Sequence, residues 1–179
     1  MLTPSAALAA LGLVATVIPL TPGTWWEYHE LTRERIGKLW SASDDTAVFS
    51  VRGRPGALLL AQRGGTDPGV GAIEIGEHGL RLGLWTGEEA LPLPLVVGAE
   101  GRPMAEGLAG WRVEAEEAVD VPAGRFEALR CALRAPTSES VLWIAPGVGV
   151  VRETFGAPGD PPLVERELVR WKAAESPEK

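Results

Sequence analysis

Several residue types that support common protein chemistry are scarce in this chain of 179 residues. Cys131 is the single cysteine, so the sequence can form neither an intrachain disulfide nor a zinc site built from cysteines. His29 and His78 are the only histidines, which excludes most histidine-based metal sites and catalytic triads. Asparagine is absent, and N-linked glycosylation is therefore excluded.

Positive charge is also in short supply. The chain has 17 Lys and Arg against 24 Asp and Glu, a formal net charge of −7. This sign opposes the counterion release on which nucleic-acid affinity depends, so we expect no nucleic-acid partner. Apolar residues make up 45% and charged residues 23%, which is typical of a globular protein of this length with one domain.

No basic side chain precedes Arg33, and residues 1–20 form an apolar segment. One interpretation is a secretory signal with a small-residue cleavage site at Ala15, although the basic n-region of such signals is missing. Another is a buried helix with Thr3 as N-cap and Pro4 at its first position. A membrane span is disfavoured because Gly12 and Pro19 interrupt a short run.

Glycine and proline punctuate the chain after Leu20 at the spacing of an antiparallel β protein. We expect a single β domain over residues 21–172 and a polar tail over 173–179. The strands that the pattern predicts span residues 25–36, 46–52, 57–62, 72–75, 80–85, 111–121, 125–134, 140–145, 148–155 and 163–171. The last of these also fits a helix, but the strand is favoured.

Residue alternation predicts which side chains point inward. In the first strand Trp26, Tyr28 and Glu30 share a face. The continuous run at 58–60 predicts a strand buried on both faces, and the prolines at 92 and 94 place residues 91–97 at a sheet edge or in a covering loop. The fold class is mainly β: one antiparallel sheet of about 8–10 strands curved into a half-barrel or open barrel, with an N-terminal apolar helix or signal-like segment.

Carboxylates cluster in the strand at 111–121, as Glu114, Glu116, Glu117 and Asp120. Paired carboxylates are what a glycosidase-type hydrolase needs. Here Glu114, Glu116 and Asp120 alternate toward solvent, whereas Glu117 falls on the inward face. Arg130 and Arg134 of the next strand are expected to pair with Glu114 and Glu116. We therefore assign no catalytic residue and keep a carboxylate-based hydrolase as a second alternative.

Tryptophan is abundant, with seven residues against one tyrosine and three phenylalanines. Most should lie in the core, because aromatic side chains dominate core energetics. Some are expected to line a cleft for an apolar ligand, since large rigid rings give contact area with few polar demands. The candidate ligand-binding residues are Trp26, Tyr28, Trp40, Trp85 and Trp143; no metal ligand and no cofactor is predicted.

Three segments together resemble a known group of proteins: PLTPGTWWEY at 19–28, VDVPAGRF at 119–126 and VLWIAPGVGVV at 141–151. Their order and spacing resemble uncharacterised bacterial envelope proteins, many secreted or lipid-anchored, whose β-rich fold is similar to the lipoprotein-localisation-factor half-barrel. Cys131 lies in mid-chain, unlike the lipidated N-terminal cysteine of the anchored members. The resemblance favours a periplasmic or secreted location, whereas the missing n-region leaves a cytoplasmic location open.

These observations lead to one functional hypothesis and two alternatives. The chain is expected to be a non-enzymatic β domain that binds a lipid, another apolar ligand or a lipidated protein in the concave face of its sheet, with peripheral membrane contact as a further expectation. The first alternative is a structural or protein-interaction domain whose core is filled by its own side chains, and the second is the hydrolase. The oligomeric state is left open.

Overall fold

The computed structural model describes residues 17–54, 57–103 and 110–174. The signal-like or helical interpretations of the apolar segment fall mainly on residues 1–16, and most of the expected polar tail falls on 175–179; both lie outside the described residues. Within them, Ile18 is fully buried, and the Gly147 amide donates a hydrogen bond of 3.0 Å to the Val17 carbonyl. No helix in the described ranges is long and apolar enough to cross a membrane.

The described residues form one ten-stranded antiparallel sheet. Its strands are β1 (Trp25–Ile36), β2 (Leu39–Arg54), β3 (Ala57–Gly64), β4 (Gly69–Gly76), β5 (Gly79–Leu82), β6 (Arg112–Val121), β7 (Gly124–Arg134), β8 (Glu139–Ala145), β9 (Gly149–Gly156) and β10 (Val164–Lys172), with one helical turn, α1 (Gly83–Thr86), after β5. The spatial order is β5-β4-β3-β2-β1-β10-β9-β8-β7-β6. The sheet curls through 245° into an open half-barrel, which confirms the predicted fold class.

Strand β1 has the predicted bounds, and its alternation is as expected: Trp26, Tyr28 and Glu30 are fully buried on one face. Strand β2 is longer than the predicted 46–52 because its first half pairs with β1 alone. Strand β10 pairs with β1 only as far as Thr32, and β3 pairs with β2 only from Ala47. The end of the β1–β2 hairpin therefore projects beyond its neighbours in the sheet.

Two sequence predictions about the β3–β5 region are wrong. The predicted run at 58–60 is not buried on both faces, since Leu60 is fully buried while Leu59 is 40% exposed; both faces of β3 are buried only further along, at residues 60–62. The predicted strand at 80–85 ends at Leu82 and continues as α1. The turn forms where Gly83 packs on Gly71 of β4, and a Cβ on Gly83 would come within 2.6 Å of the Gly71 Cα. The loop at 91–97 covers the edge, as expected, and Leu91 pairs with Leu80.

Strand β6 contains a bulge between Val113 and Ala115. A bulge adds one residue to one strand and shifts the alternation of side chains. Glu117, which the simple alternation places among inward residues, is exposed. The predicted pairing of Glu114 with Arg130 and Arg134 is confirmed.

Two side chains of β1 fasten the curl of the sheet. In the sheet order β10 lies between β1 and β9. The pairing of β10 with β9 ends at Glu167, so the start of β9 is not held by β10. The Trp26 indole N–H donates to the Val148 carbonyl and the Tyr28 hydroxyl donates to the Val150 carbonyl, both at 2.6 Å. These bonds hold the start of β9 across the concave side, where the core lies.

Candidate functional site

Four aromatic rings form a cluster on the concave face: Trp26 and Tyr28 of β1, Phe49 of β2 and Trp85 of α1. Phe49 and Trp85 stack with ring centroids 5.0 Å apart, and Trp26 meets the edge of Trp85 at 5.4 Å. Tyr28 meets Phe49 edge-to-face, also at 5.4 Å. Such contacts are worth about 0.5–1.5 kcal/mol each beyond area burial. Three of the five predicted ligand-binding residues are therefore brought together.

A buried ion cluster continues this face toward the end of β1. Glu30 is fully buried and accepts a hydrogen bond of 2.6 Å from Nε of Arg166 on β10. Arg166 donates a second bond of 2.8 Å to Glu153 on β9. The Thr66 amide and hydroxyl also donate to Glu30, at 2.6 and 2.8 Å. One cation thus bridges two carboxylates, as buried charges require partners to offset desolvation.

The pKa values of the two carboxyl groups in this cluster are shifted in opposite directions. Burial raises the pKa of Glu30, but the bonds and charge of Arg166 and the bonds from Thr66 outweigh burial, so the pKa is lowered. Burial also raises the pKa of Glu153, and there the opposing effect of Arg166 is insufficient, so the pKa remains raised. Glu30 is the anionic partner of Arg166, whereas Glu153 is the carboxyl that takes up a proton first.

An open cleft of about 510 Å³ borders both the aromatic and the ionic groups. Its apolar lining comes from Leu84, Trp85, Trp111, Leu133, Phe155 and Val164, and its polar lining includes Gln62, Thr66, Asp67, Glu88, Glu89, Ser138, Ser140, Glu153 and Arg166. The volume is within the range of roughly 300–1,000 Å³ usual for small-molecule sites. Polar side chains outnumber apolar ones in this lining, so the apolar wall is only one side of the cleft.

Two indoles of the cleft wall have an unsatisfied donor. Trp85 is 4% exposed and Trp111 is 1% exposed, and neither Nε1–H has a hydrogen-bond partner within the described part of the chain. An indole N–H can only donate. Leaving a buried donor unbonded costs about 1–3 kcal/mol. Both residues line the cleft, and both nitrogen atoms are buried within its wall.

Of the five predicted ligand-binding residues, only Trp85 lines the cleft. Trp26 and Tyr28 are fully buried, and Trp40 and Trp143 lie elsewhere on the molecule. Trp40 is 38% exposed in the projecting end of the β1–β2 hairpin. Trp143 lies on the opposite face of β8 from Leu142 and Ile144, where its indole N–H donates to Glu117 at 2.6 Å. Arg130 and Arg152 lie over its ring, 5.7 and 5.3 Å from the centroid. Trp143 thus belongs to a polar surface cluster.

The carboxylates of β6 do not line the cleft either. Glu114 is bound by Arg130 and Arg134, Asp120 pairs with Arg125 at 3.5 Å, and Glu117 bonds to Trp143. This placement on the surface gives the hydrolase alternative no enclosed site at β6.

Histidine and cysteine do not assemble a centre. His29 is bonded at the surface to Asp44 at 2.9 Å. Cys131 is fully buried, and burial raises the pKa of its thiol to about 12. Among the residues described, no group of three or more His, Cys, Asp or Glu side chains could hold a metal ion.

Sequence reasoning missed Trp111, Glu153 and Arg166 as site residues. A signal for the last two was present, because Glu153 is two residues from buried Val151 and Arg166 two residues from buried Leu168. Period-two alternation then predicts that both charged groups point inward. What the sequence could not provide is the register that sets Arg166 opposite Glu30 and Glu153.

No protein-family model matches this chain, and no curated protein matches it. Two solved bacterial structures are similar. One, from Bacteroides fragilis NCTC 9343 and provisionally described as an exported protein with a YmcC-like fold, has a TM-score of 0.47 at 13% identity over 88% of this chain and 99% of that one. The other, from Parabacteroides distasonis ATCC 8503 and provisionally described as a lipoprotein, has a TM-score of 0.51 at 16% identity, with the same coverage of 88% and 99%. At this identity the likeness to the second concerns the fold alone, and this chain shares its architecture.

Proposed function

We propose that this protein binds an apolar ligand carrying a hydrogen-bond acceptor, such as the carbonyl group of a lipid or of a lipidated partner, in the cleft of its half-barrel. The observation that carries the proposal is the pair of buried indole donors, Trp85 and Trp111, in the wall of an open cleft. A ligand acceptor would satisfy them, while the surrounding rings cover its apolar part. The proposed role is binding and not catalysis.

The charges that line the cleft favour a ligand whose polar group is uncharged. Arg166 is already neutralised by Glu30, and Asp67, Glu88 and Glu89 add acidic character to the lining. A free carboxylate would be repelled by this set. A cation would leave both indole donors unsatisfied. An ester or amide oxygen is neutral, so the acidic groups do not repel it, and it can accept a hydrogen bond from an indole N–H.

The location that fits this role is outside the cytoplasm. The Parabacteroides protein of shared fold is provisionally described as a lipoprotein. The apolar segment at 1–20 and the envelope-protein resemblance of the three sequence segments point the same way. We include export in the proposal on this support.

The second candidate function is a structural domain whose concave face is filled by its own side chains, and the aromatic cluster favours it. Trp26, Tyr28 and Phe49 are each fully buried by the protein itself, so much of the concave face is already filled. The two candidates differ in whether the remaining cleft takes up a ligand.

The test is a titration of the full chain with a monoacylglycerol, followed by the seven indole N–H signals in ¹⁵N-NMR. Single Trp→Phe variants assign the signals. The proposal predicts that the indole signals of Trp85 and Trp111 move as an acceptor binds, whereas those of Trp40 and Trp143 stay in place. Trp85→Phe and Trp111→Phe should each weaken binding about fivefold or more, the loss of one hydrogen bond.

Trp40→Phe is the matched control, since it removes the same ring atoms away from the cleft and should leave affinity unchanged. Absence of binding would favour the self-filled domain. Equal movement of all the indole signals would show contact without a defined site, and would also contradict the proposal.

A further inference from the structure

The end of the β1–β2 hairpin, residues 34–41, stands free of the sheet, and we call it the projecting hairpin. Every residue in it is exposed. The register runs Glu34↔Ser41, Arg35↔Trp40 and Ile36↔Leu39, and Gly37 takes φ +65° in the two-residue turn. Glycine at the first turn position suits the tight turns that match strand twist. The hairpin is thus a regular ribbon, and no third strand from the described ranges flanks it.

The tip of this ribbon is apolar and faces water. Ile36 is 61% exposed, Leu39 75% and Trp40 38%. Ile36 and Leu39 form one cross-strand pair and Trp40 lies next to it beside Arg35, so apolar groups occupy both faces of the tip. Exposed large hydrophobic groups concentrated at one projecting point are typical of an interaction site.

The charges beside the tip favour an anionic surface. Arg35 and Lys38 outnumber Glu34, which gives the projecting hairpin a positive balance in a chain of net charge −7. The ribbon extends about 10 Å past Arg33, at about 3.3 Å per residue. That distance is about one Debye length, so the acidic groups of the body are largely screened at the tip.

We propose that the projecting hairpin inserts its tip into the interfacial region of a bilayer containing anionic lipid. Tryptophan is enriched at membrane interfaces, and long basic side chains reach head groups while their neighbours contact acyl chains. A protein partner fits less well, because stable protein interfaces bury about 1,200–2,000 Å² and the tip is small and convex.

The hairpin leaves the sheet at the cleft end of the half-barrel. Thr32, two residues before it, pairs with Val164, and Val164 lines the cleft. A docked tip would therefore hold the cleft beside the lipid surface. The proposal itself does not depend on ligand binding in the cleft, and the two can fail separately.

The chain allows a local test through a single introduced thiol. Cys131 is buried and its raised pKa of about 12 leaves it unreactive, so a new surface cysteine can be labelled selectively. Ser41→Cys places an environment-sensitive fluorophore beside the tip and leaves Ile36, Leu39 and Trp40 intact. Ala57→Cys places the same fluorophore at the other end of β2, where Ala57 is exposed opposite Arg54.

The full-length labelled proteins are mixed with phosphatidylcholine vesicles, with and without phosphatidylglycerol. We expect a blue shift from the Ser41→Cys label that is stronger with phosphatidylglycerol, and no shift from the Ala57→Cys label. Adding Leu39→Ser to Ser41→Cys should weaken the vesicle affinity about tenfold or more, because the largely exposed leucine side chain is then no longer available for burial in the bilayer. Leu59→Ser is the matched control, since Leu59 is 40% exposed on β3, and it should change the affinity less than about twofold.

A Ser41→Cys label that stays in water while the protein binds vesicles would overturn the proposal, since another segment would then make the contact. Equal shifts from both labels, or equal losses in Leu39→Ser and Leu59→Ser, would overturn it as well. The same holds if no vesicle binding is found.

Discussion

At the residue scale, the most informative group is the buried cluster in which Arg166 bridges Glu30 and Glu153. A buried ion pair is a weak source of net stability, but removal of one partner is costly because the other charge stays buried. The two carboxylates have pKa values shifted in opposite directions, so neutralising each one should change stability with opposite sign.

The first prediction concerns Glu30→Gln. Because the pKa of Glu30 is lowered in the fold, its anion stabilises the folded state at pH values above about 4.3, the pKa of Glu in an unfolded chain. This stabilisation is lost as the pH falls through the pKa of Glu30 in the folded state. Glu30→Gln should lower the free energy of unfolding by about 3 kcal/mol at pH 7. The difference should shrink below pH 4, as urea unfolding across pH would show.

The second prediction concerns Glu153→Gln, the matched counterpart. The raised pKa of Glu153 means that its contribution to stability is present at low pH and lost as the pH rises through the folded pKa. Glu153→Gln, which resembles the protonated form, should therefore be at least as stable as the wild type at pH 7, with its advantage shrinking toward pH 4. Loss of stability at pH 7 equal to that of Glu30→Gln would show that both carboxylates are anions in the fold.

The third prediction concerns the Tyr28 hydroxyl. Burial, then the charge of Glu153, raises the pKa of Tyr28 against the opposing charge of Arg166, so the phenol remains a donor to Val150. Tyr28→Phe leaves a buried carbonyl without this partner and should cost about 1–2 kcal/mol in thermal or urea unfolding. Retention of full stability would show that the bond does not help to hold β9 over the concave face.

At the element scale, α1 forms the wall of the cleft because two glycines permit a close approach. A Cβ on Gly71 would lie 2.8 Å from the Gly83 Cα and the Leu84 nitrogen, both backbone atoms that cannot rotate away. The position of Trp85, and with it one unsatisfied donor of the cleft, depends on this contact.

The fourth prediction is that Gly71→Ala displaces α1. Overpacking of this kind costs about 1–3 kcal/mol. The change should lower the melting temperature and shift the indole signal of Trp85. Gly76→Ala in the same strand is the control, because its Cβ would meet no atom within 4 Å. If the two variants behaved alike, the glycine contact would not position α1.

The elements show where sequence reasoning succeeds and where it stops. Trp25–Ile36 is predicted to the residue, because strong alternation and a Gly turn define both ends. The helical turn after Leu82 is missed, because the cause is a tertiary contact with Gly71 that local pattern does not contain. The first half of β2 is missed for a related reason: its exposed residues on both faces lack alternation, and pairing with β1 alone makes it a strand.

At the scale of the whole molecule, composition and spacing predicted a curved antiparallel sheet, and the structure is a ten-stranded half-barrel. The candidate site was predictable only in part. Trp26 and Tyr28 share a face because strand alternation directs them there. Trp85 meets them through the glycine contact that forms α1, and Glu153 and Arg166 join through the register of strands far apart in sequence. The cleft and the projecting hairpin lie at the same end, so the proposed docking of the hairpin would hold the proposed ligand site beside the lipid surface.

The most direct measurement is native mass spectrometry of the full-length protein purified without detergent, before and after addition of a monoacylglycerol, alongside the Trp85→Phe/Trp111→Phe double variant. The account predicts one bound apolar molecule on the wild-type protein and a marked loss of it in the double variant. A wild-type protein that stays free of ligand at saturating monoacylglycerol, or equal occupancy of the two proteins, would contradict a ligand site in the cleft.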